Sequence, residues 1–319
     1  MEKILVDTEL TQESIVAFVK TEEELRDVAA SEADGLIVID GRVELSSGEP
    51  LKLFEGQCLV GNGRVGRSGA SELVFHHQKG FNILKMADDS QISELKITVE
   101  FEEFKPQEAL FELKGCQEVK FRNLSVALIN YSGRVLEDVS IVYLDNDALL
   151  DCEGDILIDV FGNKLKAFEA ANNSKLNFRG NTAFVSGGRE NYVLWLYNGA
   201  TVNLFSNSVL RSDYADGNIA GNGGIFNSDS TVNIFGGSSL YLAGDKILVN
   251  EFDTMGGFFV YKNAEISIRG LDSDKADTWK CTRFWRQQEA TGINSLDAYQ
   301  SEFVRIEESD MPESVQKAL

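Results

Sequence analysis

The chain has 319 residues, 43% of them hydrophobic, and a formal net charge of −21, so a sizeable core can form beneath an acidic surface. That surface repels phosphate backbones and anionic membranes, which sets nucleic acid and lipid aside as partners. No run of the ~20 apolar residues that a membrane span needs occurs, so membrane insertion is not expected.

The first 17 residues carry Glu2, Asp7, Glu9 and Glu13 and lack an uninterrupted apolar stretch, which argues against a signal peptide. The expected location is the cytoplasm, or the cell surface or exterior if the chain is a piece of a larger exported protein. An edge strand fits around Ile4–Val6. Thr21-Glu-Glu-Glu24 then forms a capping box before Leu25, Val28 and Ala29, which share one helical face. Such a short helix suits a lid over unpaired strand ends.

The segment Gly35–Asp40 is the first strong strand, followed by Arg42–Leu45, Leu51–Leu53 and Gln57–Gly61. The glycines of Gly61-Asn-Gly-Arg-Val-Gly66 match a dinucleotide-binding pattern. They lead into the strand Leu73–Phe75 rather than a helix, so they read as a turn. The order of capping helix, strand and Gly-x-Gly turn resembles the entry into pectate-lyase-like right-handed parallel β-helix proteins.

From Leu95 onward one unit recurs, two apolar residues separated by a polar one. It reads Leu95/Ile97, Val119/Phe121, Val139/Ile141, Ile156/Ile158, Leu176/Phe178, Val202/Leu204, Val232/Ile234 and Ile266/Ile268. Uneven steps between copies fit coils with a fixed strand and variable loops. A second inward anchor precedes several copies, at Leu113, Leu150, Ala170, Leu196, Phe226 and Val260. The fold expected is all-β, a right-handed parallel β-helix over 35–270, with an N-terminal cap at 1–34 and an irregular C-terminal cap at 271–319. A last strand is expected there at Phe303–Ile306. Arg211–Asn222 and Ala243–Met255 read as long loops.

Phe178-Arg-Gly-Asn181 resembles the FxxN element of chlamydial polymorphic outer membrane proteins and related autotransporter passengers. Gly223-Gly-Ile225 resembles their GGA(I/L/V) element. Gly187-Gly188 and Gly236-Gly237 depart from it, being followed by Arg189 and Ser238. The resemblance implies a surface passenger with adhesive roles.

Catalytic patterns are sparse. Histidine occurs only at His76 and His77, on opposite faces of one strand. Cys58, Cys116, Cys152 and Cys281 lack metal-ligand spacing and read as buried free thiols. Asp145, Asp147 and Asp151 fail the Ca²⁺-loop pattern at Leu149 and Leu150. The best catalytic set is Arg211, Asp213 and Asp216, with Tyr214 beside them, as in a polysaccharide lyase or glycoside hydrolase. Only that reading calls for a cofactor, Ca²⁺; otherwise no metal or cofactor is expected.

The coil alignment gives the favoured site. If Leu196, Phe226 and Val260 face inward, then Trp195, Ile225 and Phe259 face outward, with Tyr197 and Tyr261 in a second row. An aromatic strip of this kind is a sugar platform or a protein interface, including one between copies of the chain. The function expected is a non-catalytic, adhesin-like or assembly module that binds a protein or glycan partner. The alternatives are the polysaccharide-cleaving enzyme and a cytoplasmic scaffold or secreted effector.

Overall fold

The computed structural model describes residues 15–63, 65, 69–77, 82–101, 109–130, 135–214, 224–243, 248–250, 257–260, 264–269, 281–286 and 289–293. They form a parallel β-helix with one short helix. A nineteen-stranded sheet and an eight-stranded sheet face each other across one apolar core. Apart from a hairpin of Cys281–Arg286 with Glu289–Ile293, every described pairing is parallel.

Each coil crosses the wide sheet twice, as two strips meeting at a corner. In successive coils the corner residue is Glu94, Asn123 or Gly154, with φ of 53°, 50° and 65°. One left-handed residue turns the chain sharply without breaking the ladder.

Like positions lie over one another because a single coil cannot bury its apolar side alone. In the first strip Ile37, Leu59, Ile92, Phe121, Cys152, Phe178, Leu204 and Ile234 stand in register across eight strands. In the second strip the row is Leu73, Ile97, Val126, Ile158 and Phe184. The narrow sheet contributes Phe111, Val142, Phe168, Leu194 and Ile225. Edge-to-face pairs Phe111–Phe121 and Phe168–Phe178, at 5.5 and 5.4 Å, lock the two sheets together.

Leu176 and Val202 are direct partners, as the repeat predicts. The eight apolar pairs do not form one ladder, however. Val119/Phe121, Leu176/Phe178, Val202/Leu204 and Val232/Ile234 stack in the first strip, whereas Leu95/Ile97, Ile156/Ile158 and Ile266/Ile268 lie in the second. Val139 and Ile141 are buried at the entry to the narrow-sheet strand Ser140–Asp145. All three walls share one period-2 alternation, so the pattern alone does not say which wall a segment belongs to.

The helix Glu22–Ala30 has the capping box expected: Thr21 Oγ1 accepts from Glu24 N at 3.2 Å, and Glu24 Oε2 accepts from Thr21 N at 3.2 Å. Leu25 and Ala29 plug the end of the core beside Val19 and Ile37. Ile4–Val6 and Phe303–Ile306 lie outside the described residues.

Candidate functional site

The narrow sheet presents its outer side over several coils. In Tyr192–Tyr197 the side chains of Leu194 and Leu196 point into the core, so Trp195 and Tyr197 stand outside, half-buried. In Lys166–Ala170, Phe168 and Ala170 are buried and Glu169 stands outside. In Ser140–Asp145, Val142 and Leu144 are buried and Tyr143 stands outside. Parallel register aligns these as an outer row of Glu112, Tyr143, Glu169 and Trp195.

These side chains form one network. Tyr197 Oη donates to Glu169 Oε1 at 3.0 Å, and Ser140 Oγ donates to Glu169 Oε2. Lys166 Nζ lies 3.3 Å from the same oxygen and 3.0 Å from Asp138 Oδ1. The Lys166 ammonium also sits 5.2 Å from the centre of the Trp195 ring. Tyr192 meets Trp195 edge to face at 5.0 Å, a second contact that helps to fix the indole. Lys166 and Glu169 keep only 12% and 15% of their side chains exposed, although neither points into the core.

Tyr143 and Tyr197 are hydrogen-bonded to each other. Burial, above all, pushes the Tyr197 phenol well above its ordinary range, and its bonds to Tyr143 and Glu169 and the Glu169 charge add to this. Burial likewise raises Tyr143, against a smaller opposing effect of the Tyr197 hydroxyl. Both phenols are therefore neutral hydroxyl groups near neutral pH. The face offers a fixed ring, neutral hydroxyls and a carboxylate already engaged by three donors.

The predicted strip survives only in part. Trp195 and Tyr197 do face outward, but Ile225 is in the core, paired with Leu194. A register irregularity between Tyr192 and Leu194 sets Gly224 against Tyr192 and Ile225 against Leu194. The alternation shifts by one residue there, and Phe226, expected inward, becomes the neighbour of Trp195. Phe259 is in register with Asn233 in the wide sheet, on another wall. The strand that continues the Trp195 wall is Leu248–Asn250, inside a segment the sequence assigns to a loop. Tyr261 lies outside the described residues.

Arg211, Asp213 and Tyr214 also sit on a strand, Val209–Tyr214, rather than in a loop. Arg211 Nε is 3.7 Å from Asp213 Oδ2. Asp216 lies outside the described residues. Tyr143, Glu169 and Lys166 escape the sequence reading, although a usable signal exists: Tyr143 and Glu169 each precede an inward residue, Leu144 and Ala170, as Trp195 precedes Leu196.

Among the described residues no cluster of His, Cys, Asp and Glu could hold a metal ion, and no helix is long and apolar enough to cross a membrane.

The fold and this face define an acidic parallel β-helix with an aromatic and carboxylate outer wall. No family model matches the sequence, and no curated protein matches it. Among solved structures, the chain is similar to the A-module of a mannuronan C-5 epimerase from Azotobacter vinelandii. Identity is 9% over 78% of this chain and 90% of that one, with a TM-score of 0.32. At that overlap the epimerase's activity does not bear on this chain.

Proposed function

We propose that the chain is a non-catalytic, adhesin-like binding module whose narrow-sheet outer wall takes a hydroxyl-rich glycan. The observation that carries this reading is the Trp195 ring fixed by contacts with Tyr192 and Lys166, beside the Tyr143–Tyr197–Glu169 network. A fixed ring gives a sugar face something to stack on, and neighbouring hydroxyl and carboxylate groups orient its hydroxyls. The charged groups of this wall nearly balance: Lys114 pairs with Glu112 at 2.8 Å, and Lys166 bridges Asp138 and Glu169. That balance, within a chain of net charge −21, favours a neutral glycan over a polyanion.

A binding role fits the chemistry better than a cleaving one. Phenols pushed upward by burial do not supply a base at neutral pH, and Glu169 is already engaged by Ser140, Tyr197 and Lys166. The test is a glycan array coupled to a reducing-sugar assay on every glycan bound. Retention of a neutral glycan without release of reducing ends is expected. Release of reducing ends, or binding of a protein partner alone, would overturn the reading.

A further inference from the structure

The hydrogen bonds around Glu169 on the narrow-sheet wall all run one way, and the carboxylate sets their direction. It can only accept, so every group bound to it must give it a proton. Tyr197 Oη gives its single proton to Oε1 at 3.0 Å, and buried Ser140 gives its own to Oε2. Lys166 Nζ holds the same Oε2 at 3.3 Å, with both partners largely withdrawn from solvent. The bond between Tyr143 and Tyr197 then has only one possible polarity. Tyr197 has no second proton, so Tyr143 donates and the Tyr197 oxygen accepts. Only a Tyr143 phenolate would receive the Tyr197 proton instead, and burial disfavours that form.

The relay therefore runs from Tyr143 through Tyr197 to Glu169, and its outer end is an oxygen whose proton is already committed. Among the described residues Tyr197 is the only hydrogen-bond partner of the Tyr143 hydroxyl, so lone pairs are what this end offers to a ligand. This acceptor belongs to the same outer face as the Trp195 ring. Trp195 and Tyr197 share the outer side of one strand, with Leu194 and Leu196 turned into the core. Glu169 and Tyr143 follow in register on the two preceding coils.

Resting on the glycan reading above, we infer that the Tyr143 oxygen makes this wall selective for a hydrogen-bond donor: it takes chains with a free hydroxyl at that point and turns away chains methylated or acylated there. A sugar hydroxyl can rotate its proton toward the lone pairs, whereas an ether oxygen, an ester oxygen or a fluorine has none to offer. Substitution loses the bond and leaves a half-buried acceptor facing another acceptor. A site built around a substrate hydroxyl discriminates in this way more sharply than an apolar pocket can.

Isothermal titration of cellohexaose, mannohexaose and xylohexaose tests this, each beside versions in which the hydroxyl at one ring position is replaced throughout by hydrogen or by fluorine. Fluorine is no larger than a hydroxyl and carries no proton, so it separates polarity from bulk. At one position the deoxy and fluoro versions of a bound glycan should both bind at least tenfold more weakly, short of the ~10⁴-fold of a fully buried pair. Tyr143→Phe should bring the parent glycan down to the level of its substituted versions and erase the difference between them. Trp195→Ala should weaken all versions alike, and Leu157→Asn, at an exposed position of the wide sheet, should change none. Should Tyr143→Phe fail to fold, the wild-type series decides alone. Binding of none of the three hexaoses would remove the glycan reading and this inference with it. Fluoro versions as tight as the parent at every position, or a preference that survives Tyr143→Phe, would overturn the inference and leave the glycan reading standing.

Discussion

Replacing Asn203 by alanine removes the middle rung of a buried side-chain ladder. Asn177, Asn203 and Asn233 stand in register on three successive strands, with 8%, 5% and 2% of their surface exposed. Asn203 Nδ2 donates to Asn177 Oδ1 at 2.9 Å, and Asn233 Nδ2 donates to Asn203 Oδ1 at 2.9 Å. Losing the rung breaks both bonds and takes the Asn203 partner from Asn177 Oδ1 and Asn233 Nδ2. Each bond contributes about 1 kcal/mol net, and an orphaned buried group costs ~1–3 kcal/mol, part of which relaxation recovers. The sum expected is about 3 kcal/mol, against about 1–2 kcal/mol for Asn177→Ala, which breaks one bond of the ladder. Urea unfolding followed by tryptophan fluorescence measures both, provided the midpoint shifts without a change in slope. Equal effects of the two substitutions, or a loss under ~0.5 kcal/mol at Asn203, would mean that water reaches the ladder and refute the reasoning.

Other consequences are testable at the cap, the thiols and the Arg211 strand. Burial would raise Glu22, but hydrogen bonds from Ser47, Ser46 and Arg26 outweigh it and bring its pKa from an ordinary 4.5 to about 2. Because the folded value is the lower one, this stabilisation is present above about pH 4.5 and lost as the pH falls towards 2. Acid unfolding curves of wild type and Glu22→Gln should therefore differ at pH 6 and converge near pH 2; a constant offset would refute the assignment. Burial pushes the thiols of Cys58, Cys116 and Cys152 upward, most strongly at Cys152. Alkylation at pH 8 should be slowest at Cys152 in the native protein and uniform in urea, which peptide mass spectrometry reads directly. Asp213→Asn should shift the melting temperature by under ~2 °C, since a long surface ion pair contributes less than ~1 kcal/mol.

The coil architecture was legible because it rests on a pattern that does not depend on loop length. Leu176/Phe178 and Val202/Leu204 announce inward ladders wherever they occur, and the Thr21–Glu24 capping box announces the lid. Assignment to a wall was not legible, since all strips alternate alike. Ile225 shows how little is needed to shift a side: one register irregularity near Tyr192 puts Ile225 in the core, where strict alternation would have placed it outside. Leu248–Asn250 was too short to stand out from its surroundings, so the wall beyond Trp195 was continued onto Phe259 on a different sheet. Glu169 and Lys166 acquire meaning only from neighbours about 26 to 29 residues away in sequence, one coil distant in space.

The central question is whether the Trp195 wall holds a glycan without changing it. Isothermal titration with the tightest neutral glycan from the array, followed by mass spectrometry of the recovered ligand, tests this directly. The ligand should return intact, and Trp195→Ala should weaken binding at least tenfold while Leu157→Asn leaves it unaltered. Undiminished affinity in Trp195→Ala, or a shortened ligand, would contradict the account.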